Sequence, residues 1–196
     1  LGVELNELFT DFEQGSFKPT GGASDFALEG KGFFSVETPQ GERYTRNGNF
    51  TVGVEGFLMT KEGFPVLGEH GRINLQDTKY TVNKNGEVWV RPINNTDADP
   101  VLLDRLKLVA FENDRFIKKQ GSSLYRDTPV SGPAIAAEGP DRPTIAQGYV
   151  ESSNVNVVNE MVQMIEVNRA YEANQKTIQS EDTMMAKLWG EVVRVK

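Results

Sequence analysis

The chain contains no cysteine and one histidine among its 196 residues. The missing cysteines rule out disulfide bridges, thiolate nucleophiles and cysteine-ligated zinc together. The lone histidine, His70, has no second imidazole with which to build a zinc site, and it lies in Gly68-Glu69-His70-Gly71, a turn composition. An exposed turn residue is the expectation there. Positive charge is in deficit: 21 Lys+Arg against 28 Asp+Glu give a net charge of −7. That balance argues against nucleic-acid binding and a membrane-surface role, both of which need basic patches. No apolar run is long enough to span a bilayer, so membrane insertion is not expected. No signal peptide opens the chain, which starts at Leu1 rather than Met and reads as part of a longer product.

Helix breakers are absent from one long stretch near the end of the chain. Between Tyr149 and Trp189 there is neither Gly nor Pro, although 19 Gly and 9 Pro punctuate the chain as a whole. A run of that length predicts a helix of roughly 50 Å, with Ser153, Asn154 or Asn156 to cap it and Glu160 in its first turn. Val157, Met161, Met164, Asn168, Tyr171, Gln175, Ile178, Asp182, Met185 and Trp189 recur at alternating steps of four and three, the seam of a coiled coil. Asn168, Gln175 and Asp182 interrupt it at heptad intervals, where polar groups lower stability but fix register and partner choice. Pattern alone is equally compatible with this helix folding back on its own domain. Geometry opposes that, because a small domain cannot cover so long a helix.

The segment before Pro19 fits either a short helix, through Leu5, Leu8, Phe9 and Phe12, or an extended arm ending at Gln14-Gly15. From Pro19 to about Arg126 the reading is β. Asp25–Glu29 alternates, Gly30-Lys31-Gly32 turns the chain into Phe33–Val36, and Asn47-Gly48 carries a two-residue hairpin signal. An internal echo follows: Phe50-Thr51-Val52-Gly53-Val54-Glu55-Gly56-Phe57-Leu58 has the pattern of Tyr80-Thr81-Val82-Asn83-Lys84-Asn85-Gly86-Glu87-Val88. Pro129, Pro133, Pro140 and Pro143, with Gly132 and Gly139, make the next stretch irregular.

The expected fold class is therefore mainly β: a compact antiparallel β domain, barrel- or sandwich-like, with irregular connector arms and one long C-terminal α-helix. The plan is an extended N-terminal arm over 1–19, a β-rich domain over 20–127, a Pro/Gly-rich connector over 128–150 and a coiled-coil-type helix over 151–196.

Chemistry is hard to find. Gly30-Lys31-Gly32 lacks the further Gly and the Lys-Ser/Thr pair of a phosphate loop. Neighbouring carboxylates such as Glu4/Glu7 or Glu181/Asp182 read as a solvated face or, for Asp182, as part of the helix seam. No catalytic residue, cofactor or metal site is expected, and a cell-wall enzyme using two carboxylates is the remote alternative.

Three separated blocks then carry a resemblance. The ending Glu151 to Val162, including Ser153, Asn154 and Val155, continues through Arg169-Ala170-Tyr171-Glu172-Ala173-Asn174 and resembles the C-terminal signature of bacterial flagellar rod and hook proteins. Phe12-Glu13-Gln14-Gly15-Ser16-Phe17, Asp25 to Phe34 and Tyr44-Thr45-Arg46-Asn47-Gly48-Asn49-Phe50 are similar to the region those proteins share, and Gly63–Gly68 continues it. The resemblance implies a self-assembling, non-enzymatic axial subunit of the flagellar basal body. Its implied partners are copies of itself, other rod and hook proteins, and the type III export apparatus. Size and the Ser153–Asn156 block favour a distal-rod-like subunit, with proximal-rod or hook-type proteins as alternatives. In this family an N-terminal helix pairs with the C-terminal one, so the partner of the Met161–Trp189 seam is expected to lie before Leu1.

Overall fold

The computed structural model describes residues 10–94, 98–121, 123–139 and 142–194. The part of the N-terminal arm before residue 10, Pro140 and the last two residues of the chain lie outside them. The chain divides into two units between Asn154 and Val155.

The first unit is built of short strands: β1 (Phe17–Pro19), β2 (Phe26–Glu29), β3 (Phe33–Thr38), β4 (Gly41–Thr45), β5 (Phe50–Val52), β6 (Leu58–Thr60), β7 (Thr78–Val82) and β8 (Glu87–Pro92). They continue as β9 (Val101–Arg105), β10 (Leu108–Ala110), β11 (Lys118–Gln120), β12 (Leu124–Arg126), β13 (Ile135–Ala136), β14 (Thr144–Gln147) and β15 (Tyr149–Glu151). Every strand pairing is antiparallel. The largest sheet runs β11-β12-β4-β3-β10-β13, and smaller ones pair β1 with β15, β2 with β14, β5 with β6, and β7-β8-β9. The antiparallel β architecture is as expected, but among the described residues no closed barrel forms: the large sheet ends in two edges, β11 and β13, that are not paired with each other.

Strand β3 organises the packing because both its faces are covered. Phe34 and Val36 point into the main core with Phe26, Leu28, Leu58, Val66, Leu106 and Leu108. Phe33, on the opposite face, joins a second cluster with Tyr44, Val109, Ile117 and Tyr125. That period-two alternation of side chains across a strand explains why Phe33-Phe34-Ser35-Val36 is apolar almost throughout. The second cluster is largely aromatic: Phe12 meets Phe33 and Tyr125 edge-on, each at 5.1 Å between ring centres, and Tyr44 meets Phe111 at 5.0 Å. Edge-to-face packing of this kind adds about 0.5–1.5 kcal/mol per pair beyond burial. Burial pushes the Tyr44 hydroxyl up to about 12, so this wall stays neutral.

The echoed hairpins share one pairing register. Val52 pairs with Leu58 and Thr51 with Met59, as Val82 pairs with Val88 and Thr81 with Trp89. In the first turn the Gly56 amide donates to the Gly53 carbonyl at 2.9 Å. In the second, Gly86 donates to Asn83 at 2.9 Å. Both turn-closing glycines have φ of +81°, a conformation that only Gly adopts freely.

Two expectations are corrected. Asn47-Gly48 is not a hairpin, since β4 and β5 belong to different sheets. Gly48 is instead required by close approach: a Cβ there would lie 1.8 Å from the Phe26 carbonyl oxygen, which is held as the Phe26 amide donates to the Gly48 carbonyl. The segment 128–150 is also more than a connector. Ile145 is buried in the main core opposite Leu28, and β14 and β15 return to pair with β2 and β1. Pro143 is buried against the β2–β3 turn, where a Cβ on Gly32 would come within 2.8 Å of its ring. Arg142 donates to the carbonyls of Ala137 and Leu106.

Gly48→Ala is therefore expected to lower stability by about 2–3 kcal/mol, an overpacking cost, read from urea denaturation. An unchanged midpoint would mean that β2 can yield without penalty.

Candidate functional site

Segments of two of the sequence blocks singled out above, around Gln14, Gly30, Arg46 and Glu151, converge on one junction. Arg46, just beyond the end of β4, donates from Nε to Glu151 Oε2 at 2.7 Å, with Nη2 3.5 Å from Oε1. Its remaining donors reach the Gly32 carbonyl at 2.9 Å and the Leu28 carbonyl at 3.2 Å. Glu151, the last residue of β15, accepts the Gly15 amide at 3.0 Å. Gln14 closes the ring: its Nε2 donates to Leu28 O at 2.6 Å and its Oε1 accepts the Gly30 amide at 3.0 Å. The Gly30-Lys31-Gly32 turn thus spends its polar groups on Gln14 and Arg46.

Both ion-pair side chains are largely buried, at 16% exposure for Arg46 and 12% for Glu151. A planar guanidinium with several donors in a fixed fork suits such a site, where every donor must find an acceptor. Gly15 is fixed by the same closeness, because a Cβ there would lie 1.8 Å from the Ser152 carbonyl oxygen. Phe12 anchors the arm from the other side through its ring contacts. In the described part of the N-terminal arm only Phe17–Pro19 forms a strand, and it is fastened to Tyr149–Glu151, the segment that precedes the helix.

None of these clamp residues was singled out as functional from the sequence. Arg46 and Glu151 stand 105 residues apart, and no local pattern links positions so distant. The one available signal was a charged residue inside an otherwise apolar and turn-forming block, Tyr44–Phe50.

His70 is an exposed turn residue as expected, with 85% of its side chain accessible, but it has a partner the sequence did not reveal. Its Nδ1 lies 2.8 Å from Asp104 Oδ1. The hydrogen bond to the Asp104 carboxylate, and then its charge, raise the His70 pKa, so the ring stays charged to higher pH than a free imidazole. Asp104 also accepts the His70 and Arg105 amides, which makes the pair a loop staple. Among the described residues no group of three His, Asp or Glu side chains could hold a metal ion.

The second unit is the helix α1 (Val157–Arg194), 38 residues long and hence about 57 Å. Of the three capping candidates the structure uses Asn156: its Oδ1 accepts the Val158 amide at 3.1 Å and the Asn159 amide at 3.3 Å. Ser153, Asn154 and Val155 precede the helix and are exposed; Arg169, Ala170 and Asn174 lie on it and are exposed. All ten seam positions, Val157 to Trp189, lie on this helix, and every one is exposed. Met164 at 64%, Tyr171 at 63% and Trp189 at 68% show how much apolar surface that is. Gln175 donates to the Tyr171 hydroxyl at 3.2 Å, within the seam itself.

An antiparallel β body and a separate long helix bearing an exposed apolar stripe, with no metal cluster among the described residues, have the make-up of a structural protein. The comparisons agree. Residues 27–90 match the family model "Flagellar hook protein FlgE/F/G D1 domain", and residues 146–188 match "Flagellar basal body rod FlgEFG protein C-terminal". The chain is 38% identical over 193 residues to the flagellar basal-body rod protein FlgG of Buchnera aphidicola subsp. Acyrthosiphon pisum, covering 96% of this chain and 73% of the relative. It is 32% identical to FlgG of Bacillus subtilis, covering 96% and 72%, and 37% identical to FlgF of Caulobacter vibrioides, covering 85% and 64%. The chain therefore belongs to the flagellar basal-body rod protein family. Arg46 falls in one matched region and Glu151 in the other, so the buried ion pair ties the two together.

Arg46→Ala and Glu151→Gln should each cost about 3 kcal/mol, because either leaves a buried partner unsatisfied. The double variant should cost less than their sum. Single losses below about 1 kcal/mol in denaturant titrations, the range of a surface pair, would refute the clamp.

Proposed function

We propose that the chain is a distal-rod-like subunit of the flagellar shaft, in which α1 lies against helices of neighbouring subunits as an inner layer and the β body forms the outer wall. The observation that carries this is the seam: seven of its ten positions are apolar or aromatic, and the stripe is exposed from Val157 to Trp189. A helix of this kind gains most of its stability from packing that stripe. Asn168, Gln175 and Asp182 supply the polar positions that set register between helices. Growth into a shaft requires heterologous contacts, with one patch meeting a different patch on the next copy. Export in the unfolded state by the type III apparatus accords with the absence of cysteine. The role is structural, and the protein transmits torque through contacts and performs no chemistry.

Because one matched family model is also described by the hook protein, a hook-type axial subunit is the second reading. Both are tested in one preparation. Met164→Glu combined with Ile178→Glu, in the complete protein, should leave the melting of the β body unchanged and remove the subunit from purified basal bodies, with loss of motility. Mass spectrometry of basal bodies stripped of hook should find the unaltered subunit in the rod fraction. Departure with the hook would favour the second reading, and retention of the doubly substituted subunit would overturn the seam.

A further inference from the structure

We propose that Asn47 is a self-modification site, at which the Gly48 main-chain nitrogen attacks the Asn47 side-chain amide and converts it to an acid beside the clamp. The proposal stands independently of how the subunit assembles.

The chain holds two Asn-Gly pairs, Asn47-Gly48 and Asn85-Gly86. Glycine matters at the second position because it has no Cβ to shield its nitrogen from the preceding side chain. In both pairs the asparagine is exposed and the glycine buried. Their hydrogen bonds differ. In the β7–β8 turn the Gly86 amide is committed to the Asn83 carbonyl at 2.9 Å, and no group among the described residues donates to the Asn85 amide oxygen. The Gly48 amide, by contrast, donates to no group among the described residues. Its own carbonyl is nevertheless held, by the amides of Phe26 at 2.9 Å and Phe50 at 3.1 Å. Buried main-chain amides are nearly always paired, which sets this nitrogen apart.

The second difference lies at the electrophile. Asn47 Oδ1 accepts the Asn49 amide at 3.0 Å. Attack at Cγ turns that oxygen into an oxyanion, and a donor already aimed at it stabilises the charge as it develops. Asn47 also lies outside the strands, between the end of β4 at Thr45 and the start of β5 at Phe50. It can therefore turn toward its neighbour without breaking a ladder bond.

The step needs no cofactor. The Gly48 nitrogen gives up its proton and bonds to Asn47 Cγ. Collapse of the oxyanion breaks the Cγ–Nδ2 bond, and Nδ2 leaves with the proton as ammonia, closing a five-membered cyclic imide. Water then opens the imide at Cγ to give aspartate, or at the Asn47 main-chain carbonyl to give isoaspartate. In isoaspartate the backbone runs through the former side chain and gains one methylene. That lengthens the main chain between Arg46, which holds Glu151, and Gly48, whose surroundings leave no room even for a Cβ. The site thus sits where a covalent change loosens the body that the clamp holds together.

The test incubates the full chain at mildly alkaline pH, native and in urea. Both pairs are followed by peptide-mapping mass spectrometry, and isoaspartate is read by isoaspartyl methyltransferase labelling. In the native chain Asn47 should convert roughly tenfold faster than Asn85, equivalent to about 1.4 kcal/mol in a barrier, within the reach of one hydrogen bond. In urea the two rates should converge. Asn47→Gln, which would have to close a six-membered ring, should lose the labelling at this position. The isoaspartate-enriched chain should melt below an Asn47→Asp variant, and equal melting would refute the strain. Native conversion at Asn85 as fast as at Asn47, or conversion of Asn47 only in urea, would overturn the site.

Discussion

The structure depends on one buried ion pair. Arg46 and Glu151 hold together the turn after β2, the N-terminal arm at Gly15 and the last strand before the helix. Two charges taken this far from water are retained only where geometry satisfies nearly every donor and acceptor, and here the three partners outside the pair, the Gly32 and Leu28 carbonyls and the Gly15 amide, are all backbone groups. The consequence is mechanical. Arm and return strand are fastened at the same place, through β1 pairing with β15 and the Ser152 amide donating to the Ser16 carbonyl. Both segments are thereby tied into the same β body.

Around that clamp the β body is stiffened by having two cores rather than one. Strand β3 separates them, with Phe34 and Val36 facing the aliphatic core and Phe33 facing the aromatic one. Phe12 inserts into the aromatic side, so the N-terminal arm contributes to the body it is clamped to. Surface pairs contribute little by comparison. Arg72 and Glu37 form a short bidentate contact that lowers the Glu37 pKa, but both are about half exposed and screened by solvent.

Much of this was legible in the sequence where the determinants are local. The two echoed hairpins could be read because Gly56 and Gly86 fix the same turn at the same offset, and the long helix because nothing between Tyr149 and Trp189 can break it. Asn47-Gly48 misled for a physical reason. Gly there answers the nearness of the Phe26 carbonyl, a contact made across the fold, and the local pair imitates a turn signal. The connector misled similarly: Pro143 reads as a breaker in one dimension but fills the space beside Gly30 and Gly32 in three. The clamp residues were present inside the blocks that carried the family resemblance, yet their pairing was invisible because hydrogen bonds between distant segments leave no periodic trace. The three–four spacing from Val157 to Trp189, by contrast, is a local pattern, and all ten positions lie exposed on α1.

The chain comprises a β body stabilised by its own contacts and a helix whose apolar stripe is exposed. Native-state amide hydrogen exchange on the dilute chain tests that division most directly. Amides of the β body, including Thr144–Glu151, should open only with global unfolding, while those from Met161 to Trp189 should exchange much faster and gain protection once subunits assemble. Equal protection of the helix and the body in the dilute monomer would contradict the account.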